Sequence, residues 1–70
     1  MTKIKMIEEM VCEYGKSFGI GSEWCKYVYI NHVRLINQIN RKWAKEYIVM
    51  KYNQYKKGEK NICDIVSNLL

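Results

Sequence analysis

Apolar residues in the first part of the chain recur at the spacing of one helix face. The positions that follow an i, i+3, i+7 pattern are Ile4, Ile7, Val11 and Tyr14. This spacing is typical of an amphipathic helix that buries one side. Gly15 follows at a position where a left-handed glycine commonly ends a helix. The pattern therefore predicts a short helix over about residues 3–14.

The longest uninterrupted segment runs from Ser22 to about Lys57 and contains neither Gly nor Pro. Ser22 is a favourable N-cap residue, and Glu23 follows it in the first turn, where a carboxylate suits the helix dipole. One helix over 22–57 is the simplest interpretation, with a kink near residue 46 left open. Its apolar side is predicted to carry Val28, His32, Leu35, Ile36, Ile39, Trp43 and Met50.

A third periodic segment follows Gly58 and runs to the end of the sequence. It is predicted to be a helix over residues 60–70. We therefore expect one all-α domain over residues 1–70, built from three helices. The apolar positions of the helix over residues 60–70 are Ile62, Ile65, Val66, Leu69 and Leu70.

Two short runs leave a different fold open. Residues 26–30 and 47–52 are rich in β-branched and aromatic side chains, which favour strands. Strands there would give an α+β domain. Residues 27–45 nevertheless keep a clear helical phase, so we predict helix.

The glycine-rich segment GKSFGIG, residues 15–21, resembles a nucleotide-binding loop only superficially. A P-loop requires a glycine where Met10 stands, and it follows a strand, whereas a helix is predicted here. A dinucleotide fingerprint would require a glycine where Trp24 stands. We therefore predict a turn whose glycines supply positive φ angles.

The amino-acid composition favours a small, basic globular protein. The chain is 49% hydrophobic, so it can form a core, and it carries a net charge of +5. Lys, Ile and Asn supply 25 of the 70 residues, which suggests an AT-rich coding sequence from a low-GC bacterium, a phage or another mobile element. The three cysteines form no CxxC motif and favour reduced thiols. We expect a cytoplasmic protein with no membrane partner.

Charge is concentrated in the middle of the chain. Between residues 26 and 57 there are eight Lys or Arg residues and one Glu. On a continuous helix Arg34, Arg41 and Lys45 share one side with polar amides, a pattern that favours binding to a phosphate backbone. We predict a nucleic-acid-binding ridge, for either DNA or RNA. Its residues are Asn31, Arg34, Gln38, Arg41 and Lys45, with Lys42 beside them.

After Lys45 the chain becomes apolar on all sides, which indicates burial on all sides or a partner. We expect a helix-mediated homodimer or another hydrophobic partner here. The alternative is that the last helix folds back and covers this segment. The predicted interface residues are Tyr47, Ile48, Tyr52 and Tyr55.

No motif indicates catalysis, a cofactor or a metal. Cys25 and His32 could form a nucleophile–base pair, but His32 lies in the predicted apolar stripe. The expected function is non-enzymatic nucleic-acid binding by a small regulator. The alternative is an inhibitor or adaptor of phage type that packs a Tyr- and Arg-rich helix on an acidic partner protein.

Overall fold

The computed structural model describes all of residues 1–70 and contains four helices and no strand. The predicted all-α class is confirmed, and the strand alternative is wrong because both β-rich runs lie within helices. None of the helices combines the length and apolar character needed to cross a bilayer. The helices are α1 (Lys3–Lys16), α2 (Glu23–Lys42), α3 (Lys45–Lys56) and α4 (Ile62–Leu69).

The prediction of one helix over residues 22–57 is wrong, because this segment forms two helices, α2 and α3. Trp43 has φ −122° and ψ 143°, and Ala44 has φ −72° and ψ 160°, so both residues are extended. The Trp43 indole Nε1 donates a hydrogen bond to the main-chain oxygen of Leu69 at 2.7 Å. Its ring stacks on that of Tyr47, with centroids 4.5 Å apart. These tertiary contacts favour a turn that local propensity alone does not predict.

Helix α1 is the central element, and each of the other three helices packs against it. The predicted apolar side of α2 is largely confirmed, since Val28, Leu35, Ile36 and Ile39 are buried. His32 and Met50 are exposed and do not belong to the core. The other core residues are Met6, Ile7, Met10, Val11 and Tyr14 of α1, Ile48 of α3, and Ile65, Val66 and Leu69 of α4.

Gly15 is a contact point between helices and does not form the predicted left-handed cap. Helix α1 continues through it to Lys16, and Gly15 is buried. A Cβ atom at Gly15 would lie 2.9 Å from Cγ1 of Val28, so the two helices approach closely because this side chain is absent. The left-handed conformation instead occurs at Gly19 and Gly21, with φ of 88° and 89°.

We expect Gly15→Ala to destabilise the fold. Alanine favours a helix over glycine by about 0.5–1 kcal/mol, but overpacking a close contact costs about 1–3 kcal/mol. In a Val28→Ala background the nearest clashing atom is gone, so the same substitution should cost less or become stabilising. Urea denaturation of the four proteins in this double-mutant cycle measures the coupling. An equal effect in both backgrounds would contradict the proposed contact.

Candidate binding surface

The segment at residues 15–21 is a closed turn, as the sequence predicts. The amides of Phe18 and Gly19 donate to the main-chain oxygens of Gly15 and Lys16. The Ser17 hydroxyl donates to the Tyr14 oxygen at 2.6 Å and also lies 2.8 Å from Sγ of Cys63. The amides of Phe18 and Gly19 and the Ser17 hydroxyl are therefore already engaged within the fold.

The predicted ridge is divided by the break between α2 and α3. Arg34, Gln38 and Arg41 lie on α2 and are exposed, but Lys45 begins α3 beyond the extended residues. Asn31, also on α2, donates its side-chain amide to the main-chain oxygen of Tyr27 within its own helix at 3.0 Å. A single straight ridge that reaches Lys45 is therefore not formed.

Two predicted ridge residues have a structural role at the end of α4. Gln38 Nε2 and Lys42 Nζ donate to the main-chain oxygen of Leu70, at 3.4 Å and 3.1 Å. Together with the Trp43 bond to Leu69, they satisfy carbonyl groups that a helix C-terminus leaves without partners. A cation at this end also suits the helix dipole. Gln38 and Lys42 thus join α2 to α4.

The remaining ridge cations are electrostatically unpaired. The protein contains two ion pairs, Glu13–Lys16 at 3.6 Å and Glu9–Lys56 at 3.1 Å, and both involve carboxylates of α1. Arg34, Arg41 and Lys45 take part in neither pair and make no side-chain hydrogen bond. Their charges are therefore exposed to solvent without an acidic partner.

Glu9 of α1 joins α3 through both of its carboxylate oxygens. Oε1 accepts a hydrogen bond from the Tyr52 hydroxyl at 3.0 Å, and Oε2 accepts one from Lys56 Nζ at 3.1 Å. The Lys56 hydrogen bond is the main reason that the pKa of Glu9 lies below its ordinary value of 4.5. The same bond raises the pKa of Lys56. Desolvation, followed by the Glu9 bond, raises the pKa of Tyr52.

This network predicts a pH-dependent contribution to stability. Because the folded pKa of Glu9 is lowered, its carboxylate stabilises the fold above the unfolded pKa, and this effect is lost as pH falls through the folded pKa. Glu9→Gln keeps an acceptor for Tyr52 but loses the charge. We expect Glu9→Gln to lower the melting temperature at neutral pH and to match the parent protein once the pH has fallen below the folded pKa of Glu9.

Glu8→Gln is the matched control, since Glu8 is exposed and makes no ion pair or hydrogen bond in the fold. Thermal melts followed by circular dichroism across this pH range make the comparison. A difference between Glu9→Gln and the parent that persisted unchanged at low pH would contradict the assigned role of the carboxylate.

The residues predicted as a dimer interface pack mainly within the protein. Ile48 is 0% exposed and belongs to the core, so its assignment to an interface is wrong. Tyr47, Tyr52 and Tyr55 are half-buried and pack against that core. The stated alternative, coverage by the last helix, accounts for part of its all-round apolar character, because α3 contacts α4; the first helix, α1, also contacts α3.

Four exposed apolar residues lie on α2 instead. Tyr29 and Ile30 are 79% and 76% exposed, and Val33 and Tyr27 are also exposed. We call these four residues the apolar face. A helical wheel could have revealed it, because Ile30 lies about 160° from the buried Val28 at 100° per residue. Tyr29, Ile30 and Val33 are not among the predicted interface residues, because that prediction concerned the segment after Lys45.

Aromatic contacts connect the apolar face to the core. The rings of Tyr14 and Phe18 lie 5.1 Å apart, those of Phe18 and Trp24 5.7 Å, and those of Trp24 and Tyr27 5.6 Å. This chain of rings wraps around the start of α2. Through Phe18, these ring contacts link the start of α2 to Tyr14 near the end of α1.

A groove of about 720 Å³ separates α1 from α2 on the side of Tyr29. Cys12, Cys25 and His32 line it, so the two residues considered as a catalytic pair share one cavity. The His32 imidazole Nδ1 lies 2.8 Å from the main-chain oxygen of Tyr29, one turn earlier in its own helix. This contact engages Nδ1 with the backbone, and no hydrogen bond joins His32 to Cys25.

The comparison with known proteins does not assign this chain to a family. No protein-family model matches this sequence, and searches of curated proteins and of solved structures find no significant match. The function must therefore be argued from the surface of the four-helix fold.

Proposed function

We propose that this is a non-enzymatic nucleic-acid-binding protein that contacts the phosphate backbone with Arg34 and Arg41 of α2, assisted by Lys45 of α3. One observation carries the proposal: these three exposed cations lack acidic partners, whereas Glu9 and Glu13 of α1 are paired with Lys56 and Lys16. An unpaired cation binds a phosphate without first losing an ion pair.

The chemistry and spacing of the two arginines suit this role. A guanidinium group binds phosphate through two parallel hydrogen bonds, which a lysine ammonium cannot do. Arg34 and Arg41 are two helical turns apart, which corresponds to about 10 Å along the axis at 1.5 Å per residue. That length covers about three steps of a nucleic-acid strand at 3.4 Å each.

The proposed contribution to nucleic-acid binding is smaller for Asn31, Gln38 and Lys42 than their place on the predicted ridge suggests. Their side chains already bond to main-chain oxygens of the protein. A base or phosphate would have to compete with those bonds, so the two arginines are the principal contacts.

Binding to a partner protein is the second candidate, and the apolar face favours it. Tyr and Arg are the side chains most often found at energetic centres of protein interfaces. Here Tyr27 and Arg34 occur on the same side of α2 at helical spacing. In this case α2 would pack on a partner surface that is apolar and acidic.

Fluorescence anisotropy with short random-sequence duplex and single-stranded oligonucleotides tests the first candidate. Three phosphate contacts predict that the logarithm of affinity falls with the logarithm of salt concentration with a slope of about −2 to −3. Absence of binding at about 50 mM salt, or affinity that does not change with salt, would overturn it. Capture of a protein from nuclease-treated lysate, without any oligonucleotide binding, would favour the second candidate.

A further inference from the structure

Three aromatic side chains form a connected cluster at the start of α2. The rings of Phe18, Trp24 and Tyr27 contact one another in series, with centroids 5.7 Å and 5.6 Å apart. We call these three residues the aromatic cluster. Phe18 joins the cluster to the core, because its ring lies 5.1 Å from that of the buried Tyr14. Trp24 and Tyr27 remain 54% and 45% exposed, although tryptophan is a residue that proteins bury to a large extent on average.

The rings of Trp24 and Tyr27 are not covered by cations of the protein. Trp43 and every tyrosine of α3 have a lysine Nζ between 5.3 Å and 5.8 Å from the ring centroid. No lysine or arginine lies over a ring of the aromatic cluster, and the Tyr27 hydroxyl makes no hydrogen bond. The exposed π surfaces of Trp24 and Tyr27 are therefore free to contact a ligand.

The aromatic cluster is aligned with the two arginines of the proposed function. Tyr27, Arg34 and Arg41 follow one another at seven-residue intervals. At 100° per residue, they lie within about 40° of one another around α2. At 1.5 Å per residue, they span about 21 Å along its axis. All three side chains are exposed, so one extended ligand can contact the tyrosine ring and both guanidinium groups.

Single-stranded nucleic acid has the chemistry that this arrangement requires. Proteins that bind single strands combine cationic contacts to the backbone with aromatic rings that stack on the bases. In a duplex, each base is covered by its neighbours and has to leave the stack before a ring on a protein surface can reach its face. The arginines can therefore bind either form, whereas the rings add affinity only for an unpaired strand.

We propose that Trp24 and Tyr27 stack on the bases of a single strand whose phosphates bind Arg34 and Arg41. This inference rests on the proposed function and specifies its ligand as single-stranded nucleic acid. Glu23 is the one acidic residue of α2 and lies one turn before Tyr27. Because its charge repels phosphate, the backbone contacts extend from the aromatic cluster toward Arg41 and not past Trp24.

Fluorescence anisotropy with oligodeoxythymidine and oligouridine tests this proposal. About eight nucleotides cover the distance from Trp24 to Arg41 even in a stacked strand. A mixed-sequence duplex of about 20 base pairs is the comparison ligand, because its bases are stacked and paired. A ring stacks on any base, so the two single strands should respond alike to the variants.

Trp24→Leu/Tyr27→Leu removes both flat rings and keeps apolar side chains that favour a helix. Stacking contributes about fivefold to 150-fold in affinity per base. The variant should therefore lose at least about tenfold in affinity for the single strands and less than about twofold for the duplex. Because stacking neutralises no phosphate, the salt dependence of single-strand binding should not change.

Tyr29→Leu is the matched control. Tyr29 is 79% exposed and lies about 160° from Tyr27 around α2. This variant should bind the single strands and the duplex as the parent protein does. Circular dichroism checks that each variant folds. If the double variant does not fold, Tyr27→Leu alone should still lose about fivefold or more in affinity for the single strands only.

Tryptophan fluorescence provides a readout that a purely structural role of the rings would not change. The chain has two tryptophans, and the Trp43 ring is stacked on Tyr47 and bonded to Leu69. A saturating single strand should quench the fluorescence of the parent protein, because a stacked base quenches an indole. Trp24→Leu retains only Trp43 and should show little quenching at saturation.

The outcomes separate this inference from the proposed function. Equal losses for single strands and duplex, no loss for single strands, or the same quenching in Trp24→Leu as in the parent would each overturn the stacking and leave the arginine contacts intact. A parent protein that binds neither single strands nor the duplex would refute the proposed function itself, and the stacking with it.

Discussion

Replacing Ile48 with alanine is expected to lower the free energy of unfolding by about 2–5 kcal/mol. Ile48 is 0% exposed and lies where α3 packs against the rest of the core. The substitution removes three buried carbon atoms and leaves a cavity that the surrounding side chains fill only in part. A domain of this length has a total stability of about 4–10 kcal/mol, so the substitution should remove a large fraction of that stability.

Urea denaturation followed by circular dichroism measures this effect. Met50→Ala is the control on the same helix, because Met50 is exposed and its truncation should change stability by about 0.5 kcal/mol or less. If Ile48→Ala does not fold, Ile48→Val should still show a loss of about 0.5–1.5 kcal/mol. If Ile48→Ala kept full stability but lost self-association, Ile48 would lie in an interface between copies of the chain. That result would contradict the fold described above.

The second large effect is expected for Arg34→Ala/Arg41→Ala in nucleic-acid binding. Removing two phosphate contacts should bring the slope of log affinity against log salt closer to zero by about 1.8. Because a hydrogen bond to a charged group contributes about 1.5–3 kcal/mol, affinity at low salt should fall at least about tenfold. Both side chains are exposed and make no bond within the fold, so stability should not change.

Two controls separate a specific surface from net charge. Lys57→Ala/Lys60→Ala removes the same charge from the exposed connection between α3 and α4 and should leave the slope nearly unchanged. Arg34→Lys/Arg41→Lys keeps the charge, so it should preserve the slope while losing the affinity that bidentate bonding supplies. Equal losses in the alanine variants of the two regions would show that binding follows net charge alone.

The sequence predicted the first and last helices well, because each has a clear apolar period, although the first continues through Gly15 to Lys16. Ser22 also caps α2 as predicted, accepting a hydrogen bond from the Cys25 amide at 3.0 Å. A kink near residue 46 was left open, but the break at Trp43 and Ala44 was not predicted, since no Gly or Pro marks it. Its cause is the contact of the indole with Leu69 and Tyr47, residues whose positions depend on the whole fold.

The candidate surface was predicted in part. The helical phase brings Arg34 and Arg41 onto one exposed side of α2, as expected from their spacing. The bonds of Gln38 and Lys42 to Leu70 could not be foreseen, because they require α4 to return to the end of α2. Tyr29, Ile30 and Val33 were predictable in principle, but their exposure becomes evident only when α1 is seen to cover just one side of α2.

A titration of the ¹⁵N-labelled protein with a short oligonucleotide, followed by two-dimensional NMR, tests most directly whether α2 is the binding surface. The account predicts that the largest amide shifts occur at and around Arg34 and Arg41 on the exposed side of α2. Tyr47, Tyr52 and Tyr55 of α3 should change little. The account would be contradicted by shifts centred on α3 or on residues 15–21, or by a spectrum that the oligonucleotide leaves unchanged.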